Sequence, residues 1–176
     1  MPEKDCALAR APKVNNRLVF YHNTPESDYE VAFTFSNNIP NFVCNNSEGN
    51  INESLANANT ESANQGRLYD ALIIGEGTDR DVAITWKDKT KDNSTARVNK
   101  TEGKYVFVGC EPICDYEVVF KKDVSRPGQR LAFGTCPTDD QIISDLMKGA
   151  DKKKIEYDAI MITNSKNDLV IKFSNK

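Results

Sequence analysis

The chain contains an internal duplication, which limits its possible folds more than any other feature. Residues 19–35 and 106–122 are identical at 8 of 17 positions at an offset of 87, including a shared Asp-Tyr-Glu-Val block. The match resumes further along the chain, where YDALII at 69–74 aligns with YDAIMI at 157–162 at an offset of 88 residues. Two units of about 87 residues therefore cover almost the whole 176-residue chain. Two copies are too few for a solenoid or a propeller.

Each unit reads as two strands, a variable segment and two further strands. Residues 29–35 and 81–87 alternate in hydrophobicity, which predicts half-buried strands with one face inward. The inward faces are predicted to carry Tyr29, Val31, Phe33, Phe35, Val82, Ile84 and Trp86 in the first unit, and Tyr116, Val118, Phe120, Leu169, Ile171 and Phe173 in the second. Turn residues at 75–77 and 164–167 predict that the last two strands of each unit form a hairpin.

The variable segments differ between the units. In the second unit, Thr138 is predicted to cap a short helix, which Gly149 is expected to end. The apolar stripe of this helix is Ile142, Ile143, Leu146 and Met147. In the first unit, residues 45–66 are rich in Asn, Ser, Glu and Ala, with little to bury. They form either a weak surface helix around residues 53–58 or a mobile loop.

These elements predict a mainly β fold of two duplicated units, each with about four antiparallel strands, and one or two short helices in all. Residues 1–17 are assigned to an N-terminal extension, 18–88 to the first unit, 89–104 to a polar connector and 105–176 to the second unit. The strands either share one barrel-like or sandwich core or form two separate α+β domains. We expect a joint core, because a unit of about 87 residues alone would be marginally stable.

Composition and charge argue against several classes of function. Lys and Arg number 23 against 26 Asp and Glu, and the net charge of −3 argues against nucleic-acid binding. No stretch approaches about 18 apolar residues, so no membrane-spanning helix is expected. P-loop, G-x-S-x-G and G-x-G-x-x-G motifs do not occur. The single histidine, His22, would need a buried acid beside it to support catalysis. We expect no enzymatic activity, no metal and no cofactor.

Cysteines and glycosylation sequons indicate export from the cell. The four N-x-S/T sequons, at Asn45, Asn52, Asn93 and Asn99, all fall in polar, loop-like stretches. Five cysteines fit two disulfides and one remaining thiol, or a fifth cysteine that pairs outside the chain. The candidates are Cys6, Cys44, Cys110, Cys114 and Cys136. We therefore expect a secreted glycoprotein whose signal peptide is missing from this sequence.

Two aspartates occupy equivalent, near-continuous apolar strands. A carboxylate on an apolar face, as predicted for Asp70 and Asp158, is costly to bury unless it has a partner. Either an organic cation in a ligand cavity supplies that partner, or the strand begins after the Asp, which then bonds a backbone N–H at the rim. Trp86, the only tryptophan, reads as a core residue that could also line a pocket.

One region resembles a known family. Residues 110–134, centred on the run CDYEVVF at 114–120, resemble the late strands of secreted arthropod lipocalins of the tick salivary type. In that family a Cys-led helix follows, a part that residues 136–149 would take. The resemblance covers about a quarter of the chain. It implies a calycin-like barrel that encloses one small ligand.

Two functional hypotheses follow. The first is a secreted, non-enzymatic carrier or scavenger of a small amine or lipid-like ligand. Its cavity would be lined by Tyr29, Phe33, Asp70, Trp86, Tyr116, Phe120 and Asp158, with Asp70 or Asp158 fixing the polar end. The alternative is a secreted protein-binding module, such as an immune-modulating or adhesion factor, with recognition loops at 37–66 and 88–103. A cavity above about 300 Å³ within a closed barrel would favour the carrier, whereas filled cores with an exposed apolar patch would favour the module.

Overall fold

The mainly β class predicted from the sequence is confirmed. The computed structural model describes residues 4–36, 47–75, 80–123, 139–163 and 167–174. The first unit contains β1 (Leu8–Arg10), β2 (Lys13–Val14), β3 (Arg17–Tyr21), β4 (Thr24–Pro25), β5 (Tyr29–Ser36), α1 (Ser47–Gln65), β6 (Ala71–Ile74) and β7 (Arg80–Trp86). The second repeats this order with β8 (Thr95–Arg97), β9 (Lys100–Thr101), β10 (Lys104–Val108), β11 (Glu111–Pro112), β12 (Tyr116–Asp123), α2 (Asp139–Lys152), β13 (Ala159–Ile162) and β14 (Asn167–Phe173).

Each unit builds one five-stranded sheet, and the two sheets have the same topology. The first sheet has the order β2-β3-β6-β7-β5, and the second has the equivalent order β9-β10-β13-β14-β12. The predicted hairpins are present as the antiparallel pairs β6–β7 and β13–β14. One pair in each sheet, β3–β6 or β10–β13, is parallel. A parallel pair needs a long crossover, and the intervening segment with α1 or α2 supplies it.

A third, four-stranded sheet joins the two units. Its order is β11-β1-β8-β4, and we call it the joint sheet. Equivalent strands β1 and β8 pair antiparallel so that Ala9 lies opposite Ala96, its own equivalent at an offset of 87. Asn23 likewise meets its equivalent, with Nδ2 3.5 Å from Cys110 Sγ. A residue can face its own equivalent only across a twofold axis, so an internal twofold relates the units.

Two segments predicted from the sequence to lie outside the repeat units contain strands of the sheets. Residues 1–17, predicted as an N-terminal extension, contain β1 and β2, and residues 89–104, predicted as a connector, contain β8 and β9. These strands pair with each other and with the five-stranded sheets, and they match at the same offset of 87 residues. The described part of the first segment, from residue 4 onwards, and the whole of the second therefore belong to the duplication.

Buried apolar residues of the described ranges form three clusters. One cluster packs the helices on the sheets and contains residues of both units, including Val19, Leu55, Leu146 and Ile160. The other two lie between the joint sheet and the faces of the five-stranded sheets that the helices do not cover. They are centred on Phe20 in the first unit and Phe107 in the second. The described strands form open sheets stacked in layers, without a closed barrel.

Two β-bulges overturn the predicted alternation of β5 and β12. The register shifts between Val31 and Phe33, and again between Val118 and Phe120. Because each bulge inserts one extra residue, the side chains beyond it change face. Phe33 consequently joins the helix-side core, whereas Tyr29 packs beside the joint sheet. Val31 and Val118, predicted to face inward, are 57% and 40% exposed. The inward positions of Val82, Ile84 and Trp86 are confirmed.

Helix α1 is longer than the sequence indicated. It spans 19 residues, although its composition is largely polar. Ile51, Leu55 and Ala58 form a buried stripe at helical spacing, and buried Ser54 donates a 2.8 Å hydrogen bond to Asp81 of β7. Gly66 follows at φ +63°, the left-handed conformation that ends many helices. A narrow apolar stripe and one buried polar contact thus hold the helix on the first sheet.

Helix α2 follows the prediction except at its end. Ile142, Ile143, Leu146 and Met147 are buried as expected, and Thr138 lies outside the described residues. Gly149 does not end the helix, which continues to Lys152. A Cβ at Gly149 would lie 3.1 Å from the ring of Phe120, so this glycine permits close packing of α2 against β12.

One disulfide crosses between the units. Cys6, just before β1, is bonded to Cys114, just before β12. Cys110 is a free, buried thiol, while Cys44 and Cys136 lie outside the described residues. The disulfide therefore ties the start of the first unit to the second unit.

Cys110 is expected to resist alkylation in the folded protein. Burial, as the largest cause, raises the pKa of its thiol to about 12. Because the thiolate is the nucleophile, we expect iodoacetamide to label Cys110 at least about 100-fold more slowly than in the unfolded chain at pH 8. Peptide mapping by mass spectrometry would measure both rates on the same protein. Equal rates would contradict the buried position of this thiol.

The sequon asparagines differ in their exposure to solvent. Asn52 is exposed on α1, not in a loop, and Asn99 is exposed between β8 and β9. Asn93 is buried, and its Nδ2 donates a 3.0 Å hydrogen bond to the carbonyl of Asp88. Nδ2 is the atom that would carry a glycan, so attachment at Asn93 would require this hydrogen bond to break; glycosylation of the sequons stays a prediction. Asn45 lies outside the described residues.

Candidate functional site

Two clefts on the molecule are equivalent under the internal twofold. Cleft 1 has a volume of about 470 Å³, and cleft 2 has a volume of about 370 Å³. Eight residues of cleft 1 have counterparts in cleft 2: Lys4, Asp5, Cys6, Lys100, Gly103, Tyr105, Asp158 and Phe173 correspond to Lys91, Asp92, Asn93, Lys13, Asn16, Leu18, Asp70 and Trp86. A cavity that occurs twice at equivalent positions is a property of the repeated unit.

Each cleft forms between the two units. Residues 4–6, just before β1 of the first unit, face the β9–β10 hairpin of the second in cleft 1. In cleft 2, residues 91–94, just before β8, face the β2–β3 region of the first unit. Neither cleft would exist in an isolated unit, because its two walls come from different units.

Tight hairpins position one wall of each cleft. The two-residue loops are Asn15-Asn16 between β2 and β3, and Glu102-Gly103 between β9 and β10. All four residues have positive φ, between 50° and 80°. Left-handed residues at both loop positions give a turn whose twist matches that of the strands. The hairpins thereby hold Lys13 and Lys100 at the cleft walls.

An aromatic side chain lies at the base of each cleft. In cleft 1, Phe173 packs near Tyr105, with ring centroids 6.2 Å apart. In cleft 2, Trp86 packs edge-on against Phe20, with ring centroids 5.8 Å apart. Both residues belong to the cores beside the joint sheet, so the clefts lie directly over packed apolar layers.

Asp70 and Asp158 play the same role in the two units. Asp70 Oδ2 accepts a 2.9 Å hydrogen bond from the backbone N–H of Trp86, and Asp158 Oδ2 accepts the equivalent bond from Phe173. Each residue immediately precedes its strand and also bonds across the hairpin through its backbone N–H. Of the two possibilities left open by the sequence, this geometry matches the rim aspartate bonded to a backbone N–H.

The seven predicted ligand residues do not meet in one cavity. Asp70 and Trp86 line cleft 2, and Asp158 lines cleft 1. Tyr29 and Tyr116 pack at the margins of the two cores beside the joint sheet, whereas Phe33 and Phe120 lie on the opposite, helix-covered faces. The bulges cause this division, since they place the two halves of β5 and β12 on different faces.

His22 does have an acid beside it. Its Nε2 lies 3.4 Å from Oδ2 of Asp139 at the start of α2, and both side chains are largely buried. The ring also packs edge-on against Tyr21, whose hydroxyl accepts a 3.0 Å hydrogen bond from Asn50 of α1. This cluster connects β3 and α1 of the first unit to α2 of the second. Neither His22 nor Asp139 lines cleft 1 or cleft 2.

Reasoning from the sequence missed the lysines and acids that precede β1 and β8. The signal was available, because the offset of 87 also aligns Lys4 with Lys91, Asp5 with Asp92, Ala9 with Ala96, Arg10 with Arg97 and Lys13 with Lys100. The duplication therefore extends to the start of the described chain. Extending the alignment upstream would have identified the second wall of each cleft.

Comparison with protein-family models, with curated proteins and with solved structures finds no match for this chain. The resemblance to tick salivary lipocalins stays a prediction. Within the described ranges, neither helix is long and apolar enough to cross a membrane. Those ranges also hold no group of three or more His, Cys, Asp or Glu side chains arranged to bind a metal ion.

Proposed function

We propose that this chain is a secreted, non-enzymatic binding protein that takes a small ligand into each of two equivalent clefts. The carrier or scavenger role predicted from the sequence is thereby kept, but its ligand sites are moved from the inside of a barrel to the twofold-related clefts. The observation that carries the proposal is that one cleft occurs twice, at positions related by the internal twofold axis.

The dimensions and chemistry of the clefts support this role. Volumes of about 470 and 370 Å³ fall within the range of small-molecule sites. Each cleft has an aromatic side chain at its bottom and a few charged side chains at its walls. In small-molecule sites, apolar surfaces of this kind supply most of the affinity and the polar groups orient the ligand. The Cys6–Cys114 disulfide supports an oxidising compartment, which secretion would provide.

A binding role accounts for more of the structure than catalysis does. The His22–Asp139 pair meets the geometric requirement for a general base with an orienting acid. It lies apart from both clefts, however, and the second unit has Gly109 at the position of His22. The two positions share a left-handed backbone, with φ of 57° and 63°. We assign the pair to joining α2 to the first unit.

Native mass spectrometry of the protein secreted from eukaryotic cells tests the proposed function. We expect non-covalent adducts of one small molecule, with up to two copies per chain, that disappear on denaturation. The stoichiometry follows from the two clefts. Adducts limited to one copy would restrict binding to one cleft, and a bare protein mass would remove the support for a co-purifying ligand.

A protein-binding module is the second candidate, because an exposed valine occurs at the same position of an edge strand in both units. Val31 and Val118, at equivalent bulges of edge strands β5 and β12, are 57% and 40% exposed. Exposed apolar side chains beside a free sheet edge suit contact with another protein. A bare mass in the experiment above would favour this role, and binding of a partner that Val31→Lys abolishes would support it.

A further inference from the structure

We propose that the polar end of the ligand in each cleft is an anion, such as a carboxylate or sulfonate, carried on an apolar or aromatic body. This inference rests on the proposed binding function and replaces the amine predicted from the sequence. Three observations support it. The acids in both clefts are already bonded within the protein, four of the six cleft lysines make no hydrogen bond or ion pair to a described residue, and an aromatic side chain lies beside them. The other two lysines are engaged, Lys89 with Asp70 and Lys104 with the carbonyl of Tyr157.

The cleft acids already have donors from the protein itself. In cleft 1, Asp5 accepts hydrogen bonds from the backbone N–H of Ala7 at 3.1 Å and from the Arg97 guanidinium at 2.9 Å. These bonds, first the one from Ala7, hold the pKa of Asp5 below its usual value. In cleft 2, the hydroxyl and backbone N–H of Ser94 hold the pKa of Asp92 down in the same way.

The remaining pair of cleft acids is equally engaged. Asp70 and Asp158 each accept a backbone N–H at 2.9 Å, and Lys89 Nζ lies 3.4 Å from both oxygens of Asp70. An incoming amine would have to compete with these donors at every carboxylate in the two clefts. A cationic ligand therefore has little unused negative charge to bind.

Four lysines at the walls keep ammonium donors that no described residue accepts. Lys13 and Lys91 act on Asp92 and Asp88 through charge alone, where each contributes, after hydrogen bonds, to lowering the pKa of the carboxyl. Lys4 in cleft 1, and Lys13 and Lys91 in cleft 2, make no hydrogen bond or ion pair through their ammonium groups to any described residue. Lys100 of cleft 1 lies 4.5 Å above the ring of Tyr105, a contact that leaves its N–H donors available. Lys4 and Lys100 are the twofold equivalents of Lys91 and Lys13, so both clefts repeat the arrangement.

The charge of the clefts differs in sign from that of the whole chain. Three lysines and two aspartates line each cleft, whereas the protein carries a net charge of −3. Two ammonium groups can bind the anionic head group of a ligand, while the aromatic side chain at the bottom of the cleft packs against the ligand's apolar body. Local positive charge on an acidic protein would also draw an anion towards the clefts.

A series of three matched probes tests this inference on the full chain. We would titrate 2-naphthoate, naphthalene-2-methanol and naphthalene-2-methylammonium, which share one ring system and differ in head charge, and follow amide shifts by ¹H–¹⁵N NMR. We expect 2-naphthoate to shift amides of the β2–β3 and β9–β10 hairpins, with a Kd at least about fivefold below that of the ammonium. Raising the salt concentration should weaken the binding of 2-naphthoate and leave that of the neutral naphthalene-2-methanol unchanged.

Matched variants assign the effect to the clefts. Lys100→Gln should weaken binding of 2-naphthoate about threefold in cleft 1 and leave cleft 2 unchanged, because exposed charge pairs contribute modestly. Lys13→Gln should do the converse. Lys148→Gln, on the exposed side of α2, has the same net charge and should alter neither cleft. All three lysines are exposed, so the variants are expected to fold.

The outcomes separate the two proposals. Equal affinity for all three probes in the clefts, or tightest binding of the ammonium, would overturn the anion inference and leave the binding function standing. No cleft shift with any probe at millimolar concentration would instead count against the clefts as ligand sites. An equal effect of Lys148→Gln would show non-specific charge attraction, and would also overturn the inference.

Discussion

Replacing both Cys6 and Cys114 by serine is expected to lower the free energy of unfolding by about 4 kcal/mol. The disulfide links residues 108 positions apart, so it removes a large part of the conformational freedom of the unfolded chain. It also anchors the segment that leads into β1, one of the two inner strands of the joint sheet. Urea denaturation monitored by circular dichroism would give the difference in free energy.

The wild-type protein reduced with dithiothreitol is the matched control. If the covalent bond is responsible, the reduced protein and the double variant should lose the same stability. A loss in the variant alone would point to the serine side chains instead, since Cys114 is 2% exposed. A loss below about 1 kcal/mol in both would mean that the cross-link constrains the unfolded chain far less than its loop length implies.

Much of the fold could be predicted because the duplication supplies the same information twice. The hairpins β6–β7 and β13–β14 follow from alternation and turn residues, and the stripe of α2 follows from its spacing. The bulges at Val31 and Val118 could not be read in this way. An extra residue leaves the local pattern looking regular, and only pairing with β7 or β14 shows that the face has changed.

The candidate site was less accessible to sequence reasoning than the fold. Asp70, Trp86 and Asp158 were singled out, and the structure places all three at clefts. The opposite walls come from the other unit, so Lys4 meets Tyr105 only through the antiparallel pairing of β1 and β8. Nothing local to residues 4–10 marks them as cleft residues. Their identity with residues 91–97 at four positions was the one available signal.

The two units are expected to unfold together, and a pair of equivalent phenylalanines tests this. Phe20 and Phe107 are fully buried beside the joint sheet, at equivalent positions of β3 and β10. Truncating either one to alanine should cost about 3–5 kcal/mol, from lost burial and the cavity left behind. Because one buried cluster contains residues of both units, each loss should be felt across the whole chain.

Trp86 makes this test specific, because the only tryptophan lies in the first unit. In Phe107→Ala, which alters the second unit, the urea midpoint of Trp86 fluorescence should fall as far as the midpoint seen by circular dichroism. Val118→Ala is the matched control in the second unit; its side chain is 40% exposed, so a change within about 0.5 kcal/mol is expected. An unchanged Trp86 midpoint beside a lowered second transition would mean that the units unfold independently. The clefts, which need both units, would then be lost as soon as either unit unfolds.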